Sequence, residues 1–193
     1  MKICANCCFV SDEQCCPVCG SKNLSEVHED DFCLLTEKKS ADCEVLTAVF
    51  DEKSIPYSTM PYGRGVETRL GLPLENYRVF VPFGYLEEAK NVISQIESEA
   101  TEQIRSSLLE SIEMLNISPK TEKKIIRKIK LPADKDIFEY CIDIIKTADK
   151  LADGGKISDC PKGGHYYFCY SANATLAINS RTYEILSVTI NKL

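Results

Sequence analysis

Apolar residues recur at two spacings along this chain, and the changes of spacing mark its elements. Phe32-Cys33-Leu34-Leu35 is a short unbroken apolar run and predicts a strand. The next apolar positions, Cys43, Leu46, Val49 and Phe50, fall at helical spacing. A helix is therefore expected to open at Ser40, whose hydroxyl can serve as its N-cap. Ile55-Pro56-Tyr57-Ser58-Thr59-Met60 resumes extended chain. Tyr77-Arg78-Val79-Phe80-Val81-Pro82, β-branched and aromatic, predicts a further strand. Leu86, Ala89, Val92, Ile93 and Ile96 then return to an amphipathic helix. The order over residues 32–97 is βαββα. That is half of a split βαβ arrangement, with an antiparallel sheet and helices on one face.

Residues 98–152 read as helical. Ile104, Leu108, Ile112 and Leu115 share one face. A second helix is expected to begin at Pro119, a good first helical residue, after Ser118 as N-cap. It carries Ile125, Ile126 and Ile129 on one side and Lys120, Lys123, Lys124, Arg127, Lys128 and Lys130 on the others, and Pro132 ends it. Asp136 or a neighbour starts a third helix, with Ile137, Tyr140, Cys141, Ile144, Ile145 and Ala148 facing inward. From Asp153-Gly154-Gly155 onward the chain switches to strands: the aromatic run His165–Tyr170, then Thr175–Ile178 and Tyr183–Ile190 as a hairpin around Asn179–Thr182. The expected fold class is α+β. Its parts are residues 1–31 as a zinc ribbon and linker, 32–97 as a βαββα domain, and 98–193 as a helical segment followed by a small antiparallel sheet.

The ribbon rests on four cysteines. Cys4, Cys7, Cys16 and Cys19 form two Cys-x-x-Cys hooks with eight residues between the inner cysteines. Four thiolates suit tetrahedral zinc, and a closed Cys4 site leaves no position for a substrate. Pro17 fixes one backbone angle inside the second hook. Gly20 permits a left-handed turn that points backbone N–H groups at the sulfurs. Cys8 and Cys15 flank the hooks and compete as ligands. Position 8 is where such ribbons usually carry glycine.

Eleven cysteines in all invite a disulfide framework. The hooks account for many of them, however. Cys33, Cys43, Cys141 and Cys169 sit among apolar residues, where a free thiol behaves as a small hydrophobe. Met1-Lys2-Ile3 leads straight into the first hook without an apolar leader. A reducing cytoplasm is the expected compartment.

Composition excludes some partners. The apolar fraction of 44% is ordinary, and no stretch approaches the roughly 20 apolar residues of a membrane helix. The net charge is −6. Residues 1–31 set Lys2 and Lys22 against Asp12, Glu13, Glu26, Glu29, Asp30 and Asp31, and a tetrathiolate zinc site adds two negative charges. So acidic a ribbon repels phosphate, against the common nucleic-acid role of such modules. The basic helix 119–130 is the contrary feature. It carries no Asn, Gln or aromatic residue to read or stack on a base, and no sequence-specific nucleic-acid complex is expected.

Residues 32–97 resemble the prokaryotic signal-transducing domain family, small domains of unknown function related in fold to the nitrogen-regulatory PII proteins. The resemblance lies in the early apolar strand, Ser54-Ile55-Pro56-Tyr57 opening the next, and Arg78-Val79-Phe80-Val81-Pro82 followed by Leu86-Glu87-Glu88-Ala89. It implies a ferredoxin-like domain that binds a small ligand or a partner protein, and it supplies no catalytic residue. The segment Pro61–Gly71 is an insert relative to the family pattern. Within it, Gly63, Arg64, Gly65 and Arg69 could form an anion-binding loop, glycines turning N–H groups inward and arginines holding the anion bidentately. The alternative is a plain connection between strands. The dinucleotide pattern Gly-x-Gly-x-x-Gly is absent.

A catalytic signature is hard to find. His165 follows two glycines, with Cys160 upstream and Cys169 downstream, a spacing that permits a Cys/His pair without requiring one. His28 sits in the acidic linker. The expected function is a zinc-binding cytoplasmic adaptor or signalling protein for a partner protein or a small anionic ligand. The alternatives are a nucleic-acid-associated regulator using helix 119–130 and an enzyme using Cys160 and His165.

Overall fold

In a computed structural model the chain is α+β, with several antiparallel sheets and four α-helices among the described residues, which are 1–67, 73–129, 136–153 and 165–191. It divides into two compact units, Met1–Gln95 and Ile96–Leu193.

The first unit opens with three short strands, β1 (Lys2–Cys4), β2 (Val10–Ser11) and β3 (Leu24–Glu26), in the antiparallel order β2-β1-β3. There follow β4 (Phe32–Lys39), helix α1 (Ser40–Lys53), β5 (Ser58–Glu67), β6 (Pro73–Pro82) and helix α2 (Leu86–Glu110). The predicted order βαββα is present. β6 lies between β4 and β5 and pairs antiparallel with both, so the two outer strands run in the same direction. α1 packs on β4 and β6, and its buried face is Cys43, Leu46 and Phe50, three of the four positions expected. Val79 and Val81 of β6 are fully buried. Their neighbours Arg78 and Phe80 alternate to the other face, as the period of two requires.

Three local expectations are corrected here. Ser40 is not the N-cap of α1: Lys39 holds that position without a side-chain cap, and Ser40 is the first helical residue, its Oγ 3.4 Å from Glu44 Oε1. The segment Pro61–Glu67 is not a connection. β5 continues through it to Glu67, and the register against β6 shifts between Tyr62 and Val66. Finally, the helices read separately on either side of residue 97 are one helix of 25 residues, α2, because nothing between Ile96 and Ile104 breaks it.

The second unit packs α2's later turns, α3 (Pro119–Ile129) and α4 (Ile137–Thr147) with a four-stranded meander. Its strands are β7 (Lys150–Asp153), β8 (Tyr166–Tyr170), β9 (Ala174–Asn179) and β10 (Ile185–Ile190), in the antiparallel order β10-β9-β8-β7. Pro119 opens α3 as expected. Asp136 caps α4, its Oδ1 accepting from the Phe138 N–H at 2.9 Å. Residues 150–152, read as the end of the helical segment, belong to strand β7, which pairs with β8. Leu108, Leu115, Ile125, Cys141, Ile145, Leu176, Ile178, Ile185 and Val188 form the core. At the C-terminal end of α4, Arg105 donates to the carbonyls of Ile145, at 3.4 Å, and Ala148.

Candidate metal centre

Two loops of the N-terminal sheet carry the four hook cysteines. Cys4 ends β1 and Cys7 follows in the turn to β2. Cys16 and Cys19 lie in the longer connection from β2 to β3. The two turns are built alike. The Cys8 N–H donates to the Cys4 carbonyl at 2.8 Å, and the Gly20 N–H donates to the Cys16 carbonyl at 2.8 Å. The residue after each hook is left-handed, Cys8 at φ 58° and Gly20 at φ 71°. Cys8 thus occupies the position at which the second turn has its glycine, which explains its place in the sequence without making it a ligand.

The backbone N–H groups repeat the same scheme. Those of Asn6 and Cys7 point at the Cys4 sulfur, and those of Val18 and Cys19 at the Cys16 sulfur. Phe9 N–H serves Cys7, and Ser21 N–H serves Cys19. Desolvation opposes ionisation of Cys4 most, yet these donors together with the Cys19 and Cys7 thiols pull it down to about 6. Cys16 is lowered in the same way, against its own desolvation. Cys7 is pushed up to about 12, first by desolvation and then by its thiol neighbours. Such N–H···S bonds stabilise thiolates and orient them.

The four Sγ atoms lie within 4.8 Å of one another. The Cys4–Cys19 pair is 3.5 Å apart and the Cys7–Cys16 pair 3.4 Å. A tetrahedral tetrathiolate centre with metal–sulfur bonds of about 2.3 Å has sulfur–sulfur edges of about 3.8 Å. The cluster spans that value, so its donor set could hold a metal ion with small adjustments. Cys4 and Cys16 are buried, Cys7 is half-buried and Cys19 exposed, so the centre sits at the surface of its unit. Cys15 is exposed and stands outside the set of four. The Cys8 carbonyl accepts from the Leu34 N–H at 2.9 Å, which ties the first turn to strand β4.

The other candidates are dispersed. Gly63, Arg64 and Gly65 lie in β5 at the register shift, and Arg69 falls outside the described residues. Cys160 also lies outside them. His165 is exposed, whereas Cys169 is fully buried in β8 with its thiol pushed up to about 12 by burial, the opposite of an activated nucleophile. His28 is exposed and its N–H donates to Asp31 Oδ2 at 2.8 Å.

One cluster escaped the sequence. Glu37 and Arg78 stand opposite each other on β4 and β6, with Arg78 Nε 3.0 Å from Glu37 Oε1. The Tyr62 hydroxyl donates to Glu37, and the Arg78 guanidinium lies 4.6 Å from the centre of the Tyr62 ring. The Tyr62 and Arg78 hydrogen bonds hold the Glu37 carboxyl below its usual range. Only the strand register, unknown from sequence, brings the three together.

Among the described residues no helix is long and apolar enough to cross a membrane. No family model, curated protein or solved structure matches the chain.

Proposed function

We propose that this protein is a zinc-binding adaptor or signalling protein of the cytoplasm, in which a zinc ribbon is built onto a ferredoxin-like domain. The convergence of Cys4, Cys7, Cys16 and Cys19 on two matched turns carries this reading. Zinc suits the donors: four thiolates in a tetrahedral set with backbone N–H groups behind them. A bound zinc supplies folding free energy to a module whose sheet is too small to hold itself, and all four of its coordination positions are taken by the chain. The centre is therefore structural, and function falls to the surfaces it holds in place.

The strand order β4-β6-β5, with both outer strands antiparallel to the middle one, supports the ferredoxin-like reading and the likeness to prokaryotic signal-transducing domains. A partner protein or a small anionic ligand is the proposed target. For the ligand, Gly63, Arg64, Gly65 and Arg69 remain the candidate residues, since a register shift beside glycines frees backbone N–H groups from the ladder.

Hydrogen exchange with and without a chelator tests the proposal. Chelation is expected to expose the amides of residues 1–24 while those of β6 and α1 stay protected. Unchanged protection in 1–24 would refute a metal-dependent ribbon. For the ligand, a panel of anionic metabolites is expected to raise the melting temperature of the wild type and not of Arg64→Ala. If no anion shifts the wild type, the segment is a plain part of the sheet.

A further inference from the structure

Among the described residues α3 is the one strongly basic element, in a chain that is acidic as a whole. Lys120, Lys123, Lys124, Arg127 and Lys128 are all exposed and line one shallow concave surface, while Ile125 on the far side is buried in the core of the second unit. None of the five makes an ion pair among the described residues. Helical spacing places Lys120 beside Lys123 and Lys124, Lys123 beside Arg127, and Lys124 beside Arg127 and Lys128. Each such like-charge neighbour disfavours the helix. Glu122, the acid of this helix, falls on the opposite side and relieves none of them. Ile126, three residues beyond Lys123 and four beyond Glu122, lies between them outside the concave surface and is 43% exposed. The face thus combines uncompensated positive charge, about 12 Å long from Lys120 to Lys128, with an apolar edge.

We propose that this face of α3 docks an acidic segment of a partner protein that carries an apolar side chain beside its carboxylates. The inference rests on the adaptor reading and names the partner's chemistry. Carboxylates complement the stripe and remove its self-repulsion, and an apolar side chain covers Ile126. A nucleic-acid backbone fits less well. It offers charge alone and leaves Ile126 against phosphate. α3 holds no aromatic, Asn or Gln side chain to engage a base.

The test uses the full, zinc-loaded chain in about 150 mM salt, where weak non-specific phosphate binding is largely screened. Two probes are compared by fluorescence anisotropy: a labelled helical peptide with glutamates at i, i+3, i+4 and i+7 and one leucine between them, and a short labelled DNA duplex. The peptide is expected to bind more tightly than the duplex. Lys124→Glu with Arg127→Glu should weaken it by about tenfold or more, since attraction becomes repulsion at both positions. Ile126→Ser should weaken the peptide about threefold and leave the duplex unaffected. Tighter binding of the duplex, or peptide binding indifferent to either substitution, would overturn the proposal. All three side chains are exposed, so the fold is retained. Zinc is measured on every sample, so failure of the metal reading shows as missing zinc and failure of this inference as unaltered peptide binding by zinc-loaded protein.

Discussion

Gly20→Ala isolates the backbone contribution to the metal centre. Gly20 sits at φ 71°, and a Cβ added there would meet nothing within 4 Å. The cost is therefore conformational and not steric. A non-glycine residue in the left-handed region costs about 1–2 kcal/mol. Alanine returns about 0.5–1 kcal/mol by restricting the unfolded chain. The net is about 1 kcal/mol. In the proposed zinc ribbon metal binding and folding are one equilibrium, so this is expected to appear as about fivefold weaker zinc affinity. The converse substitution, Cys8→Gly, removes the strain that Cys8 carries at φ 58°. It should leave affinity equal or improve it by a few-fold. Competition against a chromophoric chelator at fixed pH measures both. A loss of a hundredfold or more in Gly20→Ala would mean that a Cβ disturbs the ligands themselves. A loss of zinc in Cys8→Gly would make Cys8 a ligand and refute the matched-turn account.

Two further outcomes follow from the same structure. Glu37 has a folded-state pKa below its ordinary value, so its pairing with Tyr62 and Arg78 stabilises the first unit above the usual carboxylate range and is lost as pH falls through the lowered value. The acid-side decline in stability, followed by circular dichroism, should be shallower in Glu37→Gln; an identical profile would show that the cluster does not report on folding. Arg105→Ala leaves the carbonyls of Ile145 and Ala148 without their charged donor and should lower the stability of the second unit by about 1–3 kcal/mol in a urea titration, with zinc content unchanged.

What could be read in the sequence was whatever is written locally. The hooks, the helical face Cys43–Leu46–Phe50, Pro119 as the first residue of α3 and a helix start at or beside Asp136 are short-range signals, and the structure uses each of them. Three other features depend on partners far along the chain. Lys150–Asp153 is a strand because β8 is there to pair with it, and its four residues carry no period long enough to announce that. Gly63 and Gly65 suggested a turn, yet β6 runs alongside and the irregularity is absorbed as a shift of register. Glu37, Tyr62 and Arg78 needed the register itself. At the candidate metal centre the four cysteines that converge were legible, and what was hidden was the place of Cys8. Its spacing made it a rival for Cys7, and only the backbone angle shows that it stands where the second turn has Gly20.

The central claim is that Cys4, Cys7, Cys16 and Cys19 hold a zinc ion on which the ribbon depends. Metal analysis of the purified full chain beside Cys16→Ser tests it most directly. The account predicts one zinc per wild-type chain and its loss in the variant, with the second unit still folded by circular dichroism. Undiminished zinc in Cys16→Ser, or a wild type that takes up no zinc when it is supplied, would contradict it.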